Sequence, residues 1–322
     1  MKKTMIRAVT LILLISLLAV PTLAAQVLVP VGKAVGLELE GEGLFVADID
    51  KTLGKQAQKA GVQQGDLIVK VNGQKVTDVE TLRDLVSRCK EELILTVLRE
   101  GKEKNLTLKP EEAEGEKRLG IFVREGITGV GTVTYYDPSS GAFGALGHGV
   151  SDGRGTVLPI RRGNVLEAQV AGVKKGKSGA PGQLVGAFED RKILGELERN
   201  TPCGVFGKTT NGWPGTPLPV AKEEEIHTGP ATIMSTVSDS EVREYSVEIL
   251  KLYPDEALNG RNLLLHVTDE ALLAATGGIV QGMSGSPIIQ DGKLVGAVTH
   301  VLVNDPTTGY GIFIENMLDA AA

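Results

Sequence analysis

The stretch Gln281–Val301, QGMSGSPIIQDGKLVGAVTHV, carries Ser284 and Ser286 among glycines in a tight turn that ends at Pro287. Two apolar, strand-like runs follow the proline. Three interpretations compete: a plain β-hairpin turn, a turn that exposes a nucleophilic serine, or a nest of backbone amides that binds an anion. The rest of the sequence has to distinguish between them.

Length and composition limit the class of protein. A chain of 322 residues is long enough for about two domains. Hydrophobic residues make up 42% of the chain and aromatic residues only 4%, so the core is mainly aliphatic. The 41 glycines are spread between short apolar runs, which indicates many tight turns between strands. A net charge of −6 without a basic stripe argues against a nucleic-acid partner.

The first 25 residues have the three-part pattern of an export signal. Three basic residues within the first seven precede the apolar run Ala8–Val20, and the small residues of Thr22–Ala25 offer a cleavage site. The apolar run has 13 residues, short of the ~20 that span a bilayer. We therefore expect an exported protein, with retention of 1–25 as an N-terminal anchor as the alternative.

Residues 27–110 read as one small α+β module. A short helix is predicted to end at Gly61 in a left-handed cap, and the Asn-Gly pair at 72–73 predicts a hairpin turn. Asp78 is a candidate N-cap for a helix in which apolar residues recur at helical spacing.

The segment AGVQQGDLIVKVNGQKV within this module resembles the PDZ family. The resemblance implies a peptide-binding groove between the strand at Leu37–Leu39 and the helix Val79–Arg88. It also implies that backbone amides bind a peptide carboxylate. The corresponding residues here are Val35, Gly36, Leu37 and Glu38. The alternative is that Gly36 serves only as a turn glycine.

The pattern of apolar and charged residues changes after this module. Residues 111–118, EEAEGEKR, are charged and non-periodic and predict a solvated linker. From 119 to 322, short apolar runs alternate with glycines, which predicts a mainly β domain, a sandwich or a pair of barrels. Within it, Asp269–Gly278 is the best helix candidate, and SDSEVREYSVEILKLY is a candidate strand.

Metal and thiol chemistry find little support. The four histidines are scattered, and neither an HExxH nor a CxxC motif occurs, so we predict no metal site and no cofactor. The two cysteines, Cys89 and Cys203, are far apart in sequence. We expect reduced, buried thiols, not a disulfide framework.

The serine turn fits one hydrolase template better than another. In α/β-hydrolases a histidine follows the nucleophile at some distance, but only 38 residues follow Ser284, and the strand–helix alternation of that fold is missing. Chymotrypsin-like peptidases carry GDSGGP followed by a strand of the form GxLVGivS. The stretch GMSGSPIIQDGKLVGAVTH resembles that layout, with Ser284 at the nucleophile position.

The template also defines the partners that Ser284 needs. A serine hydroxyl becomes a useful nucleophile when a histidine accepts its proton. His148, between glycines and 136 residues before Ser284, is the candidate base. The backbone amides of Gly282 and Ser284 would form the oxyanion hole. We interpret His300 as a pocket or structural residue, and Ser286 as a local hydrogen-bonding residue.

Four features together resemble the stage IV sporulation protein B (SpoIVB) peptidases: the export signal, the PDZ-like module, FGALGHGVSD, and GGIVQGMSGSPIIQDGKLVGAVTHVLVNDPTTGYGIFIENML. The resemblance implies a serine endopeptidase that is exported into the space between forespore and mother cell. It also implies self-trimming, and cleavage of a membrane-bound regulator of an intramembrane metalloprotease. That cleavage would trigger activation of a late mother-cell sigma factor.

The family resemblance assigns the acid of the triad to Asp269, only 15 residues before Ser284. Asp269 could instead simply cap the helix that it begins. The other candidates are Asp152, Asp190, Asp239 and Asp255. Two functions remain as alternatives to a serine peptidase: a catalytically silent exported PDZ scaffold, and a cysteine hydrolase that uses Cys203.

Overall fold

The computed structural model describes residues 26–151, 155–187, 192–238, 241–254 and 260–322. Several sequence-based predictions lie outside the described residues: the export signal at 1–25 and the alternative acids Asp152, Asp190, Asp239 and Asp255. Within the described ranges, no helix is long and apolar enough to cross a bilayer.

Two antiparallel strands of 16 residues each, β2 (Ala34–Ile49) and β9 (Ile121–Tyr136), pair with each other along most of their length. Around and between them lie β1 (Val27–Pro30), α1 (Lys55–Ala60), β3 (Leu67–Val71), β4 (Gln74–Lys75), α2 (Val79–Arg88), β5 (Leu93–Arg99), β6 (Lys102–Leu108), β7 (Glu111–Ala113) and β8 (Glu116–Arg118).

The first barrel is closed by six antiparallel strands in the order β9-β10-β15-β14-β11-β2, because β2 pairs back onto β9. Its apolar core includes Val35, Leu37, Val133, Phe143 and Val165. The elements of this region are β10 (Ala142–Ala145), β11 (Ile160–Glu167), β12 (Gln169–Lys174), β13 (Gln183–Ala187), β14 (Ile193–Thr201), β15 (Gly204–Lys208), β16 (Leu218–Pro219) and a 3₁₀ turn at Glu223–Glu225.

The second barrel is also closed by six antiparallel strands, in the order β17-β18-β19-β22-β21-β20. Two closed six-stranded barrels confirm the predicted chymotrypsin-like fold. The candidate strand at 238–253 contains the observed strand Val242–Leu252, and the helix predicted from Asp269 is present. The elements are β17 (Gly229–Thr236), β18 (Val242–Leu252), β19 (Leu263–Val267), α3 (Glu270–Thr276), β20 (Pro287–Gln290), β21 (Lys293–Leu302), β22 (Asp305–Phe313) and α4 (Ile314–Ala321).

A PDZ-like module is inserted between β2 and β9. It consists of the second half of β2, the elements from α1 to β8, and the first residues of β9. The module has its own apolar core, separate from those of the two barrels. Asp66, fully buried, accepts two hydrogen bonds from the Arg99 guanidinium at 2.6 and 2.7 Å, which ties the turn before β3 to the end of β5.

The local signals in this module act as the sequence predicts. Gly61 ends α1 with a left-handed φ of 88°. Asn72 and Gly73 both have positive φ, which suits a tight hairpin turn between β3 and β4. The Asp78 carboxylate accepts a hydrogen bond from the Thr81 amide at 2.7 Å and caps α2.

The strand pairings show how the predicted domains connect to one another. Residues 34–41, placed in the PDZ domain, pair with both β9 and β11 and are therefore a strand of the first barrel. The stretch 111–118, predicted as a linker, forms the β7–β8 hairpin, and the Lys117 amine donates a hydrogen bond to the Cys89 carbonyl at the end of α2. In the structure, the module is therefore connected as an insertion between β2 and β9.

Candidate active site

The turn that carries Ser284 is shaped by two glycines in the left-handed region. Gly282 has a φ of 99° and Gly285 a φ of 97°, conformations that residues with a side chain rarely adopt. A Cβ at Gly285 would lie 2.0 Å from the Thr132 carbonyl oxygen. Both glycines are therefore required by the turn, which presents Ser284 between them.

Thr132 on β9 holds this turn from the first barrel. Its hydroxyl donates to the Gly282 carbonyl at 2.7 Å, and its amide donates to the Ser284 carbonyl at 3.0 Å. From the second barrel, the Val298 carbonyl accepts from the Gly285 amide at 2.7 Å. The two barrels therefore fix the position of the turn jointly.

The carbonyls that precede the Gly282 and Ser284 amides in the chain both accept hydrogen bonds. The Gln281 carbonyl accepts from the Leu184 amide at 2.8 Å, and the Met283 carbonyl accepts from the Ser286 amide at 2.9 Å. In a trans peptide the N–H points opposite to the C=O. The N–H groups of Gly282 and Ser284 therefore point away from the Leu184 and Ser286 amides.

His148 reaches the same cleft from the end of β10. The catalytic cleft is a cavity of about 460 Å³ whose lining includes both His148 and Ser284. The Nδ1 atom of His148 lies 3.0 Å from the Gly149 carbonyl, which can only accept, so Nδ1 carries the proton and Nε2 keeps its lone pair. Burial lowers the pKa of His148, which keeps the ring neutral and able to accept a proton.

The Ser284 hydroxyl donates to the Thr299 carbonyl at 2.8 Å and not to His148. For Ser284 to act as the nucleophile predicted from the sequence, its hydroxyl would have to rotate about the Cα–Cβ bond toward His148. Long or absent catalytic hydrogen bonds are common in structures without substrate.

The structure does not bring Asp269 to His148. One Asp269 oxygen accepts from the Leu272 amide at 2.9 Å and caps α3, and the other accepts from the Ser246 amide at 3.4 Å. Asp269 does not line the catalytic cleft. It therefore has the capping role that the sequence left open as the alternative, and it is not the orienting acid in this structure.

Asn200, a residue that the sequence analysis missed, fixes the segment after His148. Its side-chain amide accepts from the Val150 amide at 2.8 Å and donates to the carbonyls of Val150 and Leu158 at 2.7 and 2.9 Å. Asn200 lies near the turn between β14 and β15, beside the histidine loop. An Asn in the polar run ERNTPCG gave no signal of this role, because its partners lie 42 and 50 residues earlier in the chain.

The walls of the catalytic cleft are apolar. None of the described lining residues is a lysine, arginine, aspartate or glutamate. The cleft therefore suits an apolar substrate side chain. The apolar lining residues include Leu37, Leu39, Ile127, Val130, Ile279 and Val301.

His300 on β21 also lines the cleft, with its ring centroid 5.2 Å from that of His148. Burial, together with the neighbouring His148, lowers the pKa of His300 to about 4. Ser286, predicted to bond within its turn, instead donates to the Ser235 hydroxyl at 3.0 Å.

The predicted placement of the PDZ groove at Val35–Glu38 is wrong. Both edges of this segment are hydrogen-bonded, one to β9 and the other to β11, so no peptide strand can add to it. Gly36 also lacks the positive φ that we would expect of a glycine in a carboxylate-binding loop.

A second cleft, which we call the α2–β9 groove, lies between helix α2 and the first residues of β9. It measures about 540 Å³. Residues 121–124 of β9 pair with β2 on one edge, and their other edge has no strand partner among the described residues. Gly120, at the start of this strand, has a φ of 65°, and a Cβ there would lie 2.1 Å from the Leu53 carbonyl oxygen. The groove lining includes Val79, Leu82, Arg83, Val86, Arg118, Leu119 and Phe122.

Residues 115–318 match the profile of the SpoIVB peptidase S55 family, and residues 34–109 match that of a PDZ domain. The chain belongs to the SpoIVB peptidase S55 family. This membership confirms the predicted class of enzyme, a serine peptidase with a PDZ domain.

Individual relatives of this family member match only in part. A DegP-like periplasmic serine endoprotease of Bartonella henselae is 32% identical over 135 residues, 35% of this chain and 26% of the relative. A DegP-like protein of Chlamydia pneumoniae is 29% identical over 154 residues, 47% of this chain and 28% of the relative. The chain thus spans about a quarter of the length of these relatives.

Among solved structures, the HtrA-type protease AlgW with a decapeptide is 9% identical and covers 91% of this chain and 64% of its own, with a TM-score of 0.40. At that score the fold assignment depends on the strand pairings described above and not on this likeness.

The position of Cys203 argues against the alternative of a cysteine hydrolase. Cys203 is buried in a cluster with Phe206 and Met317 and does not line the catalytic cleft. Burial raises the pKa of its thiol, which disfavours the nucleophilic thiolate.

Proposed function

We propose that the protein is a serine endopeptidase in which Ser284 is the nucleophile, His148 the general base, and the amides of Gly282 and Ser284 the oxyanion hole. The observation that carries the proposal is the meeting of these groups in one cleft between two barrels. Ser284 comes from the second barrel and His148 from the first, and Thr132 links the two.

The reaction begins when the Ser284 hydroxyl rotates away from the Thr299 carbonyl and donates to Nε2 of His148. The Ser284 oxygen attacks the scissile carbonyl while the imidazole accepts the proton. The amides of Gly282 and Ser284 stabilise the negative charge on the carbonyl oxygen. The imidazolium then protonates the leaving amine, and water hydrolyses the acyl-enzyme by the same path in reverse.

The substrate is an extended polypeptide. His300 and Val301 of β21 pair with β22 on one edge, and β20 (Pro287–Gln290) pairs only with residues 293–297 of β21. The other edge of 299–301 has no strand partner among the described residues, so a substrate strand can add there beside Ser284. The apolar walls of the cleft favour an apolar side chain at the cleaved bond.

The α2–β9 groove recruits a second polypeptide segment, a C-terminus or an extended strand. The open edge of β9 supplies main-chain hydrogen bonds, and we place the carboxylate of a bound C-terminus near Gly120, which lines the groove at the start of that strand. This assignment replaces the groove at Val35–Glu38 and keeps the partner class, a protein or peptide.

The physiological role follows from the family resemblance. The protein is exported, trims itself, and cleaves a membrane-bound regulator of an intramembrane metalloprotease during sporulation. The export pattern of residues 1–25 and the family membership support this role.

A fluorophosphonate probe tests the enzyme against a silent scaffold. The wild-type protein and a Ser286→Ala control should be labelled, because Ser286 bonds to Ser235 away from the cleft. Ser284→Ala should lose labelling, peptide hydrolysis and any newly generated N-terminus. Absence of labelling in folded wild-type protein that still binds peptides would overturn the proposal and favour the scaffold.

A further inference from the structure

Two imidazole rings face each other beside the nucleophile. The ring centroids of His148 and His300 lie 5.2 Å apart, with their planes inclined by 37°. The two residues come from different barrels, and both line the catalytic cleft together with Ser284. Peptide hydrolysis by Ser284 needs only His148, so the second ring is unexplained by the reaction.

The nitrogens needed to bind a metal are available on both rings. His148 uses Nδ1 on the Gly149 carbonyl, which leaves the lone pair of Nε2 directed elsewhere. Nδ1 of His300 is buried, and it has no hydrogen-bond partner among the described residues. A buried ring nitrogen without a partner is costly, and a metal ion or a bound water removes that cost.

The spacing of the rings suits one shared metal ion. Zn²⁺ binds histidine nitrogens at about 2.0–2.1 Å, usually with tetrahedral geometry. Two imidazoles bound in this way have ring centroids about 5 Å apart, which is the separation between His148 and His300.

We propose that His148 and His300 form an inhibitory binding site for a divalent transition metal, with Zn²⁺ as the ion to which the geometry is matched. The bound ion takes the lone pair of His148 that would accept the Ser284 proton. Water, or the Ser284 oxygen, completes the coordination. The ion therefore blocks the base without altering the fold.

Because the site offers only two protein nitrogens, binding is reversible, and the ion leaves when the metal concentration is low. Within the described residues there is no group of three or more His, Cys, Asp or Glu side chains that could hold an ion. A hard ion such as Mg²⁺ prefers oxygen ligands and should not bind here.

The test separates metal binding from peptidase activity, because inhibition depends on the proposed function and binding does not. Zn²⁺ is titrated against the Ser284→Ala protein by calorimetry and compared with Ser284→Ala/His300→Phe. We expect one ion per chain at this site and a loss of affinity of at least tenfold in the double variant. His227→Ala, which removes the exposed histidine paired with Asp291, is the matched control and should keep the ion.

Inhibition is then measured on the active protein, with each variant compared with its own activity in EDTA. Zn²⁺ should slow peptide hydrolysis and fluorophosphonate labelling, EDTA should restore both, and Mg²⁺ should do neither. His300→Phe should raise the half-inhibitory Zn²⁺ concentration at least tenfold, and His227→Ala should leave it unchanged. Equal Zn²⁺ affinity with and without His300 overturns the proposal, even if the protein is an active peptidase.

Discussion

Two threonines on β9 allow a matched test of how the serine turn is held. Thr132 and Thr134 are both fully buried and lie two residues apart on the same strand. The Thr132 hydroxyl donates to the Gly282 carbonyl at 2.7 Å, whereas the Thr134 hydroxyl has no partner among the described residues. Replacement by valine keeps the shape of each side chain and exchanges the hydroxyl for a methyl group.

The expected effects on stability differ in sign. Thr132→Val leaves the buried Gly282 carbonyl without its donor, which should lower the free energy of unfolding by ~1–3 kcal/mol. Thr134→Val removes a hydroxyl that gains nothing from burial, so it should be neutral or raise that free energy by up to ~1 kcal/mol. Denaturant unfolding of the two variants and the wild type measures both.

The expected effects on catalysis also differ. Without the Thr132 hydroxyl, the peptide of Gly282 is less fixed, although the Thr132 amide still holds Ser284. The loss in kcat should lie between about tenfold and a hundredfold, less than the ~10²–10³ for removing an oxyanion donor outright. KM should change little, because the change affects the transition state.

The assay is single-turnover peptide hydrolysis, normalised to the fraction of protein that a fluorophosphonate titrates. Thr134→Val should match the wild type in kcat. The reasoning is refuted if both valine variants lose kcat equally, or if Thr132→Val is destabilised and yet keeps full kcat, since the hydroxyl would then serve only the fold.

Three further predictions concern the acid, the base and the groove. Asp269→Asn should keep kcat within a few-fold of wild type, since Asn also caps helices; a loss near the ~10⁴ typical of a missing triad acid would restore Asp269 to the triad. Because burial lowers the pKa of His148, kcat/KM should hold as pH falls and decline only below the ordinary histidine pKa of ~6.5; a pH–rate profile whose acidic midpoint lies above that value contradicts the assignment. Gly120→Ala should weaken binding of C-terminal peptides at least tenfold, roughly 1.4 kcal/mol, in a fluorescence titration. The control Gly101→Ala, also at positive φ but in open space, should not; equal effects of the two changes would place the peptide elsewhere.

Local chemistry could be predicted from the sequence because it depends on neighbouring residues. The Asn-Gly turn at 72–73, the Asp78 cap and the glycines around Ser284 each set a conformation within a few positions. That Ser284 and His148 line the same cleft could also be expected from the sequence, since the serine motif indicates the fold class and that fold places the histidine on the other barrel.

The remaining errors come from contacts that are distant in sequence. The partner strands of residues 34–41 lie about a hundred residues later, so a PDZ-like order of motifs gave no indication that this strand belongs to a barrel. The strand of the α2–β9 groove, Ile121–Arg124, follows helix α2 in the chain, whereas the strand predicted for the groove, Leu37–Leu39, precedes it. From the sequence alone, Asp269 could not be excluded as the acid. The Ser246 amide that donates to its carboxylate lies 23 residues earlier, on β18, so the sequence gives no sign of the contact.

The insertion has a consequence for how the chain folds. β2 and β9 form a hairpin, with Glu40 opposite Gly126, and the whole PDZ-like module occupies the place of its turn. The first barrel cannot close until this module has been synthesised, and the module, with a core of its own, can fold first and bring the two strands together. A turn built from a folded domain removes most of the loop-closure entropy that so long a connection would otherwise cost. It also means that such a module can be gained or lost over evolution at a single hairpin turn, with the barrel register unchanged.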